Sequence, residues 1–174
     1  MIDTNADDAY RNQVKANYEF SSWAGRTKEG NADVRLTDVR IGPDDIKGWK
    51  LEESEELPSS RQRREVRYIY ASQEGSSNRL VLTIVECGSV LDAHESLIDV
   101  VMTYMAPRLP RCETAGLEVG DICFRSHGDV SLSVIFARFN ILAEIKNAGT
   151  QAIAVDEFSR AVDGVIYGYW QRPR

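Results

Sequence analysis

The stretch LVLTIVECGSVLDAHESL, Leu80–Leu97, decides the fold. Its first six residues, Leu80 to Val85, are apolar on both faces, as a strand is when it runs through the middle of a sheet. Gly88 and Ser89 interrupt that run. Ser89 is placed to cap a helix, and Asp92, three positions on, sits near the positive end of the helix dipole. In the helix that follows, Val90, Leu97, Ile98, Val101, Tyr104 and Met105 share one face, while Asp92, Glu95, Ser96, Asp99 and Thr103 share the other, and Pro107 and Pro110 stop it.

Working outward, Glu65–Ala71 is rich in β-branched and aromatic residues, and Gly75-Ser76-Ser77-Asn78 supplies turn chemistry before Leu80, so the two runs form a hairpin. The same pattern returns downstream. Ile122–Arg125 and Val130–Phe136 read as strands around Ser126-His127-Gly128-Asp129, Phe139–Ile145 reads as a third strand after a very short connection, and Val155, Phe158, Val162, Val165 and Ile166 line one side of a closing helix. Two strand-strand-helix units, Val66–Met105 and Asp121–Ile166, predict an α+β fold: an antiparallel sheet with both helices packed on one face, side by side.

Residues 1–63 carry weaker signals. Asp7–Trp23 is read as an N-terminal helix without a clean apolar stripe, Val34–Ile41 as an edge strand, Gly42-Pro43-Asp44-Asp45 as a turn, Gly48–Leu51 as the start of a strand and Glu52–Ser60 as an acidic loop. The expectation is one domain over 1–174, with 1–63 peripheral and 64–166 its core, since 174 residues with 43% apolar content suffice for one core.

The net charge of −6 argues against a broad phosphate-binding surface, hence against nucleic acid. The one basic cluster, Arg61, Arg63, Arg64 and Arg67 before Tyr68 and Tyr70, follows the acidic run Glu52–Glu56 and reads as a solvated strand edge. No stretch approaches the roughly 20 apolar residues of a membrane span, and Met1–Ala9 is acidic where a signal peptide would be basic, so the expectation is a soluble, cytoplasmic chain, extracytoplasmic only if an export signal was removed. Cys87, Cys112 and Cys123 cannot all pair within one chain and show no disulfide-framework spacing; reduced thiols in a cytoplasm are the simpler reading.

Residues with chemistry are scattered. His94 sits on the apolar face of its helix, where a neutral imidazole needs a partner, with Asp121 or Glu86 as candidates; a structural histidine is favoured over a catalytic one. His127, Asp121, Cys123 and Asp129 are close in sequence, but their spacing follows no zinc pattern and the metal reading is not adopted. No phosphate-binding loop, dinucleotide glycine pattern or hydrolase motif is present. No catalytic set and no cofactor are assigned; the binding candidates are His94, Asp121, Arg138 and Asn140.

Ala93-His94-Glu95-Ser96-Leu97, Val119-Gly120-Asp121 and Phe136-Ala137-Arg138-Phe139-Asn140-Ile141 together resemble an arrangement in uncharacterised bacterial proteins, an A-H-E-x-L helix with a G-D strand start and an F-V-R-x-N hairpin. The resemblance covers residues 80–166 and implies no activity; Ala137 replaces the usual Val, and Phe139 a usual small residue. From the residues alone, Gly120 serves a turn, and Arg138 and Asn140 a tight hairpin.

Three function classes follow. The first is a non-enzymatic binding domain docking another protein or a second copy of itself as a dimer, for which bacterial immunity proteins that neutralise a basic toxin are an analogy. The second is a small-ligand-binding domain with a pocket lined by Trp23, Trp49, Tyr68 and Tyr70. The third is an enzyme built on His94, Asp121 and Glu86 or Cys87.

Overall fold

In the computed structural model, the structure describes residues 4–27, 33–39, 41–42, 46–58, 64–74, 77–104 and 108–171, with side chains from residue 7 onward. Helix α1 (Thr4–Asn17) and a 3-10 turn (Phe20–Gly25) precede strands β1 (Trp49–Leu57), β2 (Arg64–Ser72) and β3 (Arg79–Glu86), then helix α2 (Val90–Thr103). A 3-10 turn (Cys112–Ala115), strands β4 (Ile122–Arg125), β5 (Ser133–Arg138) and β6 (Ile141–Asn147) and helix α3 (Asp156–Trp170) follow. The strands form one antiparallel sheet in the order β1-β2-β3-β6-β5-β4, and the fold is α+β. No described helix is long and apolar enough to cross a membrane.

Strand β3 is central, paired with β2 on one side and β6 on the other. Ser89 caps α2, its hydroxyl accepting from the Asp92 N–H. The two main helices do not share a face, however. Leu80, Leu82, Ile84, Phe136, Ala143 and Ile145 lie in one core with Phe158, Val162 and Ile166 of α3. Ile135, Ala137, Leu142, Ile122 and Phe124 lie in a second core with Ala93, Leu97, Ile98 and Val101 of α2. β3 and β6 are antiparallel neighbours, Glu86 opposite Ile141 and Leu80 opposite Asn147, so the helix after each also leaves from the opposite end of the sheet. Strands apolar on both faces then take cover on both sides.

The first 63 residues contribute to both cores. Val14, Tyr18 and Trp23 join the α2 side, and Arg11 and Lys15 of α1 pair with Glu95 of α2 at 2.7 and 2.6 Å. The predicted helix over Asp7–Trp23 ends at Asn17, and Glu19 at a φ of 56° redirects the chain into the 3-10 turn that buries Trp23. The predicted edge strand Val34–Ile41 is irregular over its described residues, with Val34, Leu36, Val39 and Ile41 buried on the α3 side as a strap. The predicted acidic loop after Glu52 is strand β1 as far as Leu57; an edge strand lying largely in solvent needs no apolar alternation, so its glutamates hid it.

Cys112 and Cys123 form a disulfide, with Cα atoms 5.4 Å apart, which corrects the reduced-thiol reading for this pair; Cys87 is buried and stands outside the disulfide. The turn Cys112–Ala115 and a bridge from Arg111 to Phe124 bring the two cysteines alongside, which their spacing does not disclose. Pro43–Asp45 of the predicted turn, Ser59 and Ser60, Arg61 and Arg63 of the basic cluster, Gly75 and Ser76, Met105 and Pro107 lie outside the described residues.

Candidate functional site

Three of the four binding candidates meet at the two-residue turn between β5 and β6. Phe139 takes its first position with a φ of 56°, a conformation for which glycine is usual and a bulky side chain is strained. Its surroundings hold it there. The Phe139 N–H donates to Asp121 Oδ2 at 2.9 Å, and its ring is enclosed by Tyr167 and Trp170 with centroids 6.0 and 5.2 Å away. Asn140, 1% exposed, accepts from the Val34 N–H at 2.7 Å and donates from Nδ2 to the carbonyls of Val34 and Cys87 at 3.0 and 3.1 Å. A side chain in the turn thereby fastens the strap to the sheet.

Arg138 forms a clasp beside the turn. Nε and Nη2 donate in fork fashion to Asp163 at 2.8 and 2.7 Å, and Nη1 donates to Asp121 Oδ1 at 3.0 Å. Burial works against the guanidinium charge, but Asp163 and Asp121 outweigh it and raise the pKa above the ordinary value. Gly120 allows Asp121 to approach: a Cβ there would stand 2.7 Å from the Ala137 carbonyl oxygen and 2.9 Å from the Phe136 side chain. A polar cleft of about 510 Å³ adjoins this group, lined by Arg26, Glu118, Arg138, Arg160, Asp163 and Tyr167 among others. Arg138 spends its planar fork on protein carboxylates, which suits it to holding the turn rather than to taking an incoming anion.

His94 stands apart, on the other side of the sheet. It is 2% exposed, meets Trp23 edge-on at 5.8 Å, and its Nε2 has no hydrogen-bond partner among the described residues. Its predicted partners are engaged elsewhere: Asp121 at the clasp, and Glu86 with the Leu36 N–H at 2.9 Å and Arg35 at 3.0 Å. Burial lowers the imidazole pKa, with Glu95 opposing, so His94 is a neutral packing residue. Of the four aromatics predicted to share a pocket, Trp23 is separated from the other three, and Tyr68 meets Tyr70 with ring centroids 6.4 Å apart. Trp23 is on the α2 side, Trp49 and Tyr70 pack against Phe158 at 5.9 and 5.0 Å, and Tyr68 lines a groove beside the outer strands. Among the described residues, no group of three or more His, Cys, Asp or Glu is placed to hold a metal ion.

The two edges of the sheet differ sharply. The β4 edge is four residues long and is covered: the Arg125 N–H donates to the Pro110 carbonyl at 3.0 Å, Arg111 bridges to Phe124, and the disulfide ties Cys112 across it. The β1 edge is nine residues long, with β2 as its one strand neighbour. A register shift between Leu51 and Glu53 sets Glu52 aside as a bulge, after which Glu53, Ser54, Glu55, Glu56 and Leu57 pair regularly with Ile69, Tyr68, Arg67, Val66 and Glu65. Glu52 is paired with Arg79 at 2.9 Å, and Glu56 with Arg64 at 2.8 Å. Glu53 and Glu55 are exposed on one face and make no ion pair among the described residues.

The opposite face of this edge carries Ser54 and Glu56, which flank a groove of about 560 Å³ between the strap and the outer strands. Leu36, Val39 and Ile41 form one wall, and Val66 and Tyr68 lie half-buried on its floor. Sequence reasoning overlooked this region because Lys50-Leu51-Glu52-Glu53-Ser54-Glu55-Glu56 lacks apolar alternation. No protein-family model, curated protein or solved structure matches the chain.

Proposed function

We propose that this protein is a docking module that takes up a basic, extended segment of a partner protein along the open edge of β1. The observation that carries the reading is the contrast between the edges: β4 is short, bridged and disulfide-tied, whereas β1 offers a regular run from Glu53 to Leu57 in which Glu53 and Glu55 make no ion pair among the described residues. An edge strand presents unpaired backbone N–H and C=O groups, and a segment added to it gains main-chain hydrogen bonds. Charge selects the occupant. Pairing β1 with its own copy would set glutamate against glutamate, which is destabilising, while lysine or arginine opposite Glu53 and Glu55 is favourable and speeds encounter.

The test is an NMR titration of the ¹⁵N-labelled protein with the heptapeptide Lys-Thr-Lys-Thr-Lys-Thr-Lys and, separately, its Glu-for-Lys counterpart. The basic peptide is expected to shift the amides of Glu53–Leu57 and to weaken as salt is raised, and Glu53→Lys with Glu55→Lys is expected to reverse the preference. Shifts confined to other surfaces, or equal response to both peptides, would overturn the reading.

A further inference from the structure

The geometry points to a partner segment that alternates, with basic residues at every second position and a leucine- or phenylalanine-sized side chain between two of them. This inference rests on the β1 docking reading and specifies its ligand. A strand added to β1 continues the pleat, so its side chains fall alternately on the two faces of the sheet. On one face the added side chains meet Glu53 and Glu55, the exposed pair that makes no ion pair among the described residues. On the other they meet Ser54, whose small side chain leaves open the mouth of the 560 Å³ groove.

The groove differs from the rim in chemistry. Its floor is Val66 and Tyr68, both half-buried and left with apolar surface facing the space, and its wall is the strap fastened by Asn140 and Glu86. Burial raises the Tyr68 phenol pKa, so the floor stays uncharged at neutral pH. The Arg64–Glu56 pair at the groove's end is internally neutralised and offers no net charge to attract a second lysine there. Of the two glutamates that line the groove, Glu55 belongs by alternation to the other face and Glu56 is already paired with Arg64, so a lysine directed there would lose water without gaining an unpaired carboxylate, whereas an apolar side chain would remove Val66 and Tyr68 from solvent. The regular run of β1 spans about 17 Å, which limits the recognised segment to about five residues, with the groove position opposite Ser54, between the positions opposite Glu53 and Glu55.

Calorimetric titrations with Lys-Thr-Lys-Thr-Lys-Thr-Lys and Lys-Thr-Lys-Leu-Lys-Thr-Lys test this directly. The leucine peptide is expected to bind about tenfold tighter, the order expected for burying one such side chain. Ser54→Trp, which fills the groove mouth from an exposed position, is expected to bring the ratio of the two affinities to about one; the ratio, and not either affinity, is the readout. Equal binding of both peptides at β1 would overturn the alternating ligand and leave the basic-segment reading standing, as would a leucine advantage that survives Ser54→Trp. Absence of binding by either peptide at β1 would overturn both.

Discussion

Replacing Asn140 by alanine strands three backbone groups at once: the Val34 N–H, the Val34 carbonyl and the Cys87 carbonyl, bonded to its side chain at 2.7, 3.0 and 3.1 Å. Water has poor access, since Asn140 is 1% exposed and Val34 and Cys87 are also buried. At about 1 kcal/mol for each group left unpaired, the low end for buried amides and carbonyls, Asn140→Ala costs about 3 kcal/mol. For a chain of this length that corresponds to roughly 9 °C in melting temperature. The assay is urea unfolding followed by tryptophan fluorescence, paired with hydrogen exchange at the Val34 amide, which should lose protection before the sheet does if the strap is held from the turn. Asn140→Asp sharpens the test, because it keeps the shape but sets carboxylate oxygens against two carbonyls. It should be at least as destabilising as alanine at pH 7. A cost below about 1 kcal/mol with Val34 still protected would refute the view that one side chain fastens the strap.

Reduction, or Cys112→Ser with Cys123→Ser, should cost about 3 kcal/mol on loop-closure grounds for a separation of 11 residues, and thiol alkylation of the unreduced, denatured chain should label Cys87 alone. Phe139→Gly relieves the positive φ, worth about 1–2 kcal/mol, but removes a ring buried against Tyr167 and Trp170, worth about 3–5 kcal/mol; net destabilisation in thermal melts is the expected result. His94 titrates below its ordinary value in the native state, so the unfolded chain binds a proton first. Its contribution to stability is whole above about pH 6.5 and is lost as pH falls below that, at up to about 1.4 kcal/mol per pH unit. In His94→Leu the stability curve between pH 6.5 and 5 should flatten, and an unchanged slope would contradict the neutral-packing assignment.

Local rules reached the elements that are apolar on a regular period or capped by a named side chain. The run Leu80–Val85, the Ser89 cap and the short connection at Phe139 and Asn140 were all legible, because each depends on a few neighbouring residues. What escaped depends on distant partners. Which face each helix covers is set by the two separate cores that α2 and α3 close, the strap's path by Asn140 and Glu86, and the disulfide by a 3-10 turn. The turn cluster was reached as separate residues, Asp121, Arg138 and Asn140, but Asp163 completes the clasp from α3, 25 positions beyond Arg138, with no local sign. The β1 edge was missed for the opposite reason: its sequence obeys solvent, and solvent-facing strands and acidic loops share a composition.

The Cys112–Cys123 bond also closes the chain across the junction between β1-β2-β3-α2 and β4-β5-β6-α3, which are units of three strands and a helix where the sequence suggests two strands and a helix. Glu113, Thr114, Ala115 and Gly116, inside that covalent ring, are exposed. Backbone continuity at those four residues is therefore redundant: a cut there yields two polypeptides still joined through sulfur and still zipped along β3 and β6. The same four residues are where new chain ends, a fluorophore-bearing insert or a protease site can be introduced, with the molecule separating into halves only when reductant and denaturant act together.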